Sequence, residues 1–237
     1  MISFGTGTTQ GRLLCKKKPA YRAYVGNNLV YQLPGVFCLY NTYPDRELTI
    51  GSAITQVCTG MSINDGAIIQ PATSYYFSES NVYINWYLTG NTIPDYAFNL
   101  DDTEHVQMYD VRLPSNITHI GKYAFKNAMV EFINLKDTAI RSIDEGAFWG
   151  LIEMYDLVLP RTLKYLSPDA FEGSYDSPWN NRVTCYAQTP PSGGTQSIPI
   201  LGYEFNGPIY VPAESVELYK HAAGWSYYAD NISAIST

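Results

Sequence analysis

Residues 112–128 read RLPSNITHIGKYAFKNA, and SIDEGAFWGL at 142–151 repeats the second half of that passage. Each places an isoleucine four residues before an Ala-Phe pair and follows the pair with a short polar or glycine-containing tail. The pair occurs as Ala97-Phe98, Ala124-Phe125, Ala147-Phe148 and Ala170-Phe171, in steps of 27, 23 and 23 residues. A fixed period in the twenties is the signature of a repeat array in which each unit buries its apolar face only against its neighbours.

The rest of the unit keeps the same phase. Ile117, Ile140 and Leu163 lie 23 apart, and so do Ile120, Ile143 and Leu166. Before them come the short alternating runs YDVRLP, FINLKD and DLVLP. Alternation predicts half-buried strands. Val111 and Leu113, Ile133 and Leu135, and Leu157 and Leu159 are expected to point inward. The strands of successive turns then pair in parallel into one ribbon. The middle unit has one residue more between strand and first isoleucine, so the register is elastic there. Phe98, Phe125, Phe148 and Phe171 are expected to stack on tight helical or 3₁₀ turns. Full burial of each ring contributes about 1.5–3 kcal/mol.

These residues resemble the BspA-type leucine-rich repeat, whose unit reads roughly L-P-x-x-(V/L)-x-x-I-x-x-x-A-F-x-x-(C/A). RLPSNITHIGKYAFKNA and VLPRTLKYLSPDAFEGS carry the likeness, with a partial unit in LTGNTIPDYAF, over about residues 88–174. The C-terminal GPIYVPAESVELYKHAAGWSYYADNISAI looks like the closing segment common in Bacteroidetes proteins of this class. Val211-Pro212 is expected to end the last strand, residues 213–221 to form a short helix with Val216 and Tyr219 on one face, and Trp225 to cover the open end. Between them, residues 174–205 break the period and read as an irregular insertion rich in Pro, Gly and Ser, in which RVTCYA is one more strand.

The expected fold is therefore β-rich α+β. Residues 1–87 form a β-rich attachment or capping module. Residues 88–207 form a short leucine-rich-repeat solenoid with the insertion at 174–205, and residues 208–237 form a C-terminal cap. In the first part, AYRAYVGNNLVYQL reads as a hairpin and NVYINWYL as an alternating strand. AYVGNNLVYQ also resembles a Tyr-x-Gly-x-x-Leu-Val-Tyr pattern near the start of structural proteins from phages of gut bacteria.

Composition narrows the function. The net charge of −7 argues against a nucleic-acid partner, which demands a basic face. No apolar run approaches the ~20 residues that span a bilayer. The start of the chain lacks the charged and apolar regions of a signal peptide, so a chain beginning at Met1 is expected to be retained at first in the cytoplasm. Cys15, Cys38, Cys58 and Cys185 form no CxxC pair and read as free, mostly buried thiols. Twenty-one tyrosines fit either recognition surfaces or a β-rich fold.

No catalytic motif is present, and no cofactor or metal is expected. The acidic run around His105 (Asp101, Asp102, Glu104) has no calcium-loop spacing, and His119 reads as a solvent-facing spacer. Binding residues are sought on two surfaces. The residue after each Ala-Phe pair is Asn99, Lys126, Trp149 or Glu172. Three of these are polar, so Trp149 is expected to show its indole at the surface, as a binding anchor or as cover for a neighbouring domain or subunit. The outward ribbon positions are Asp110 and Arg112, Asn134 and Lys136, and Asp156 and Val158. Tyr175, Trp179 and Tyr186 add aromatic contacts suited to sugar, protein or oligomer packing. The resemblances imply a non-enzymatic structural or binding protein. The leading expectation is a phage virion component facing other virion proteins, host protein or glycan, in a homo-oligomer or symmetric assembly. The alternative is a bacterial cell-surface adhesin of the BspA type.

Overall fold

The computed structural model describes residues 35–42, 46–49, 51–64, 67–78, 82–100, 106–128, 130–150, 156–172 and 182–236, with short strands also at 14–15, 18–19, 22–25 and 28–32. Tyr175, Trp179 and the acidic run around His105 lie outside these residues.

Near the N-terminus, β1 (Leu14–Cys15) pairs antiparallel with β2 (Lys18–Pro19), and β3 (Arg22–Val25) with β4 (Asn28–Gln32), the hairpin that the Gly-Asn-Asn turn signalled. Next come β5 (Val36–Thr42), β6 (Arg46–Thr49), the four-residue helix α1 (Ile54–Val57), β7 (Cys58–Ile63), β8 (Ser74–Phe77) and β9 (Val82–Leu88). Val82, Ile84 and Trp86 of β9 are buried, as their alternation requires. Asn85, on the opposite face of the strand, is buried as well.

The repeats supply β10 (Thr92–Ile93), β11 (Val106–Arg112), β12 (His119–Ile120), β13 (Phe132–Ile133), β14 (Ser142–Ile143), β15 (Asp156–Leu159) and β16 (Tyr165–Leu166). β10, β12, β14 and β16 form a parallel ladder, two residues per rung, with Ile93, Ile120, Ile143 and Leu166 in register. This ladder runs through the second position of each Ile-x-x-Ile.

The Ala-Phe pairs form the adjoining wall. All four alanines are fully buried, and the phenylalanines are at most 5 % exposed. The rings stack face to face at 5.2, 5.4 and 5.2 Å between centroids. Each unit also binds the next through its backbone: Phe98 N–H donates to Ala124 C=O, Phe125 to Ala147 and Phe148 to Ala170, at 2.7–2.8 Å. Ile117, Ile140 and Leu163 complete the core. The pairs lie on hydrogen-bonded turns, not on helices. Their entry residue is left-handed at Tyr96, Tyr123 and Gly146 (φ 58°, 52° and 57°).

The expected single ribbon of unit strands is interrupted. β11 joins a five-stranded sheet in the order β13-β11-β5-β9-β7, whereas β15 begins a second, parallel sheet. The cause is the extra residue in the middle unit. Asn134 leaves the extended conformation (φ −85°, ψ 46°), and Leu135–Asp137 turn into a 3₁₀ helix after only two strand residues. Leu135 still reaches the core, but Ile133 is only half-buried. The division expected at 87/88 falls inside β9, and the five-stranded sheet combines strands from both sides of it.

Part of the expected insertion continues the repeat pattern. β17 (Arg182–Cys185) pairs parallel with β15, and Ser192 bridges Tyr165 as one more rung of the short ladder. The closing segment supplies β18 (Ile209–Val211), helix α2 (Val216–His221) and β19 (Ile232–Ala234), the last two strands extending the β15–β17 sheet in parallel. Tyr219 and Trp225 are fully buried, with rings edge to face at 4.8 Å. The Trp225 indole N–H donates to Pro191 C=O at 2.8 Å.

Candidate binding surface

The left-handed entry residues place aromatic rings outside the phenylalanine wall. Tyr96 and Tyr123 stack at 5.4 Å, and Tyr123 meets Trp149 at 6.4 Å in a tilted pair. Trp149 is half-buried, not displayed as the sequence led us to expect, because Tyr123 of the preceding unit leans against it. Gly146 makes this possible, since a Cβ at that position would collide with the Tyr123 ring. Beside it, Glu145 accepts from Lys122 Nζ at 2.8 Å and from the Tyr123 hydroxyl at 3.0 Å. These donors hold the Glu145 carboxyl below its usual range and raise the Lys122 and Tyr123 values.

Several expected outward positions on the ribbon face inward. Asp110 is buried at 7 % exposure, beside an irregularity in the β11–β5 register, and pairs with Arg112 Nε at 2.7 Å. Asn134 is buried at 4 %, because its amide spans the main chain of the preceding unit: Oδ1 accepts from Leu113 N–H and Nδ2 donates to Leu113 C=O. An uncapped backbone pair in a buried ladder is costly, and the asparagine side chain satisfies both groups. Arg112 lies 3.7 Å above the Phe132 ring. Lys136 is exposed and contacts Tyr186, with Nζ 4.4 Å from the ring centroid and 3.1 Å from the hydroxyl. Asp156, also exposed, is engaged by Arg182 through both carboxylate oxygens. His119 is half-buried rather than solvent-facing, since Nδ1 bonds Ser142 Oγ at 2.6 Å and Nε2 lies 3.4 Å from Asp144.

Two hollows open on the surface. One, of about 730 Å³, is lined by Lys136, Arg141, Arg161, Lys164, Tyr186 and Gln188 among others, with no acidic side chain in its wall. The other, about 540 Å³, lies at the turn carrying Phe171 and is walled by Ile198, Leu201, Tyr203 and Phe205, with Asp169, Glu172 and Glu204. Of the residues expected to bind, Lys136 and Tyr186 line the first hollow. Arg141 and Lys164 were legible in principle: each follows the first isoleucine or leucine of its unit, 23 residues apart. Arg161 and Gln188 have no such periodic signal.

A family model described as "BspA type Leucine rich repeat region (6 copies)" matches residues 71–177. Over these residues the chain is similar to a BspA-type leucine-rich repeat. The match begins upstream of the first unit read from the sequence, within β8 and its approach. Such repeats are binding scaffolds rather than catalytic ones, typical of surface-exposed bacterial proteins. No curated protein matches the chain. Among the described residues, no helix is long and apolar enough to cross a membrane, and no three His, Cys, Asp or Glu side chains gather where a metal ion could sit.

Proposed function

We propose that this chain is a non-enzymatic adhesion protein that uses the repeat surface to hold a partner outside the cell. The observation that carries this reading is the division of labour in the repeats. Main-chain bonds between units and the phenylalanine wall consume the interior, while a hollow lined by four cationic side chains spans neighbouring units on the outside. A solenoid with a capped end suits such display, since side chains on successive turns can vary without disturbing the core. Residues 1–87 then serve attachment or capping, and residues 208–237 close the array. Saturable binding of the fluorescent full chain to intact bacterial or mammalian cells, competed by unlabelled chain, is the expected result in flow cytometry. Absence of competable binding to any cell type would overturn the adhesion reading.

A second reading is a phage virion component. It rests on the likeness of AYVGNNLVYQ to segments of phage structural proteins, and that stretch folds as the separate β3–β4 hairpin. Mass spectrometry distinguishes the two. Peptides of this chain in purified particles support a virion part, and peptides in the envelope of uninfected cells support a bacterial adhesin.

A further inference from the structure

Among the described residues, the 730 Å³ hollow gathers four cationic side chains in an otherwise acidic chain. Lys136, Arg141, Arg161 and Lys164 line it, in a chain with a net charge of −7. Four other described cations meet carboxylates: Arg112 meets Asp110, Lys122 meets Glu145, Arg182 meets Asp156 and Lys220 meets Glu217. Among the described residues, Arg141, Arg161 and Lys164 meet none.

The cations are also stacked. Lys164 N–H donates to Arg141 C=O at 2.8 Å, which fixes the two residues on adjacent turns. Like charges on neighbouring rungs are destabilising, and rungs lie only about 4.8 Å apart. An anion lying across the rungs relieves that repulsion.

The walls decide what kind of anion. A peptide strand needs free main-chain groups or apolar pockets for its side chains. Here the rung N–H groups of Arg141, Lys164 and Ser192 are all spent on the preceding turn. Of the apolar wall residues, Leu163 and Ala187 are buried, and Tyr186 and Pro212 are half-buried, with Tyr186 held against Lys136, so the hollow has no deep apolar pocket for a side chain. What the hollow offers are the guanidinium forks of Arg141 and Arg161, the Lys164 ammonium, the Thr189 hydroxyl and the acceptor oxygens of Thr162 and Gln188; Lys136 is held by Tyr186, the Thr162 hydroxyl donates to Ile140 C=O, and the Gln188 amide donates to Glu214. Guanidinium binds carboxylate and sulfate through paired hydrogen bonds, and the neutral groups match sugar hydroxyls. We propose that this hollow binds an acidic saccharide, a sugar chain bearing carboxylate or sulfate groups. The proposal rests on the adhesion reading and names its ligand class.

The test is titration of the full chain with heparin, polygalacturonate, poly-L-glutamate and neutral dextran in low salt, followed by fluorescence anisotropy. Binding to heparin or polygalacturonate that weakens as salt rises is expected, with none to dextran. Arg141→Gln/Lys164→Gln should weaken it by at least about tenfold, since charge-assisted bonds are lost. Lys220→Gln, on the cap helix, should leave it unchanged, and both variants should keep the parent melting temperature because the substituted side chains lie on the surface. Equal or tighter binding of poly-L-glutamate would overturn the proposal in favour of an acidic peptide. Binding to none of the polymers, or binding indifferent to the double variant, would also overturn it. A chain that binds cells competably but none of these polymers keeps the adhesion reading and loses only the saccharide.

Discussion

Phe125 lies between Phe98 and Phe148 with no solvent exposure, so its ring has close neighbours on both faces. Phe125→Ala or Phe148→Ala should cost about 3–5 kcal/mol in chemical denaturation, through lost transfer energy and an uncollapsed cavity. Trp149→Ala should cost only about 1 kcal/mol, the worth of one aromatic pair, because the indole is half-buried and contacts Tyr123 alone among the described rings. Asn134 belongs with the phenylalanines. Asn134→Leu should cost about 1–3 kcal/mol by stranding the buried Leu113 N–H and C=O. Glu145 gives a pH signature of known sign. Its carboxyl is held below the usual value by Lys122 and Tyr123, so its contribution is present above the ordinary carboxylate range and lost as pH falls through the lowered value. The melting-temperature gap between the parent and Glu145→Gln should be open near about pH 7 and should narrow as pH falls below the ordinary carboxylate range. Cys58 and Cys185 are buried thiols, and burial pushes Cys58 up to about 12. Neither thiol should react with a disulfide reagent until the chain is denatured.

At the scale of the element, the repeat was legible because its phase is carried by residues with nowhere else to go. A phenylalanine and an isoleucine every 23 residues must share a wall, and Phe125, Phe148, Ile120 and Ile143 do. The cap helix and Trp225 were legible for the same reason. The ribbon was misread where alternation ran for too few residues to fix a face. FINLKD alternates like a strand, but the extra residue lets Asn134 turn back onto Leu113, and the strand stops at Ile133. Asp110 was assigned to solvent by parity alone, yet its position in a sheet with β5 depends on residues more than sixty places away, which no local pattern reveals. The candidate groove escaped notice because its cations come from two separate connections, β13–β14 and β15–β16, and converge only after the units stack. The residue after Ser192 shows the converse: Gly193 is left-handed at φ 138°, and a Cβ there would strike the Leu166 carbonyl oxygen. Gly193→Ala should therefore break the last rung and lower the melting temperature, although nothing in PPSGGTQS announces a repeat.

From Trp86 to Trp225 the described residues are joined by contacts that ignore the boundary expected at residue 87. Trp86, in the five-stranded sheet, meets Phe98 edge-on at 6.0 Å, and Phe98 opens the stack that runs to Phe171. The short ladder then passes from Leu166 to Ser192, and Trp225 bonds to Pro191, one residue before that last rung. Repeat arrays can unfold piecemeal when the interface between units is weak relative to the units themselves. These units are weak alone, being two-residue rungs and turns, and strong together. The expectation is a single cooperative transition, and the protein carries its own probes. Trp86 and Trp225 are both buried, at 1 % and 0 % exposure, at opposite ends of the contact chain. With Trp149 and Trp179 changed to Phe, one variant retaining only Trp86 and one retaining only Trp225 report on each end separately. If the ends are coupled, each variant's fluorescence midpoint in urea coincides with its own far-ultraviolet circular dichroism midpoint. If the Trp225 signal is lost at a lower denaturant concentration than the backbone signal of the same variant, the cap melts first and the array is not one unit.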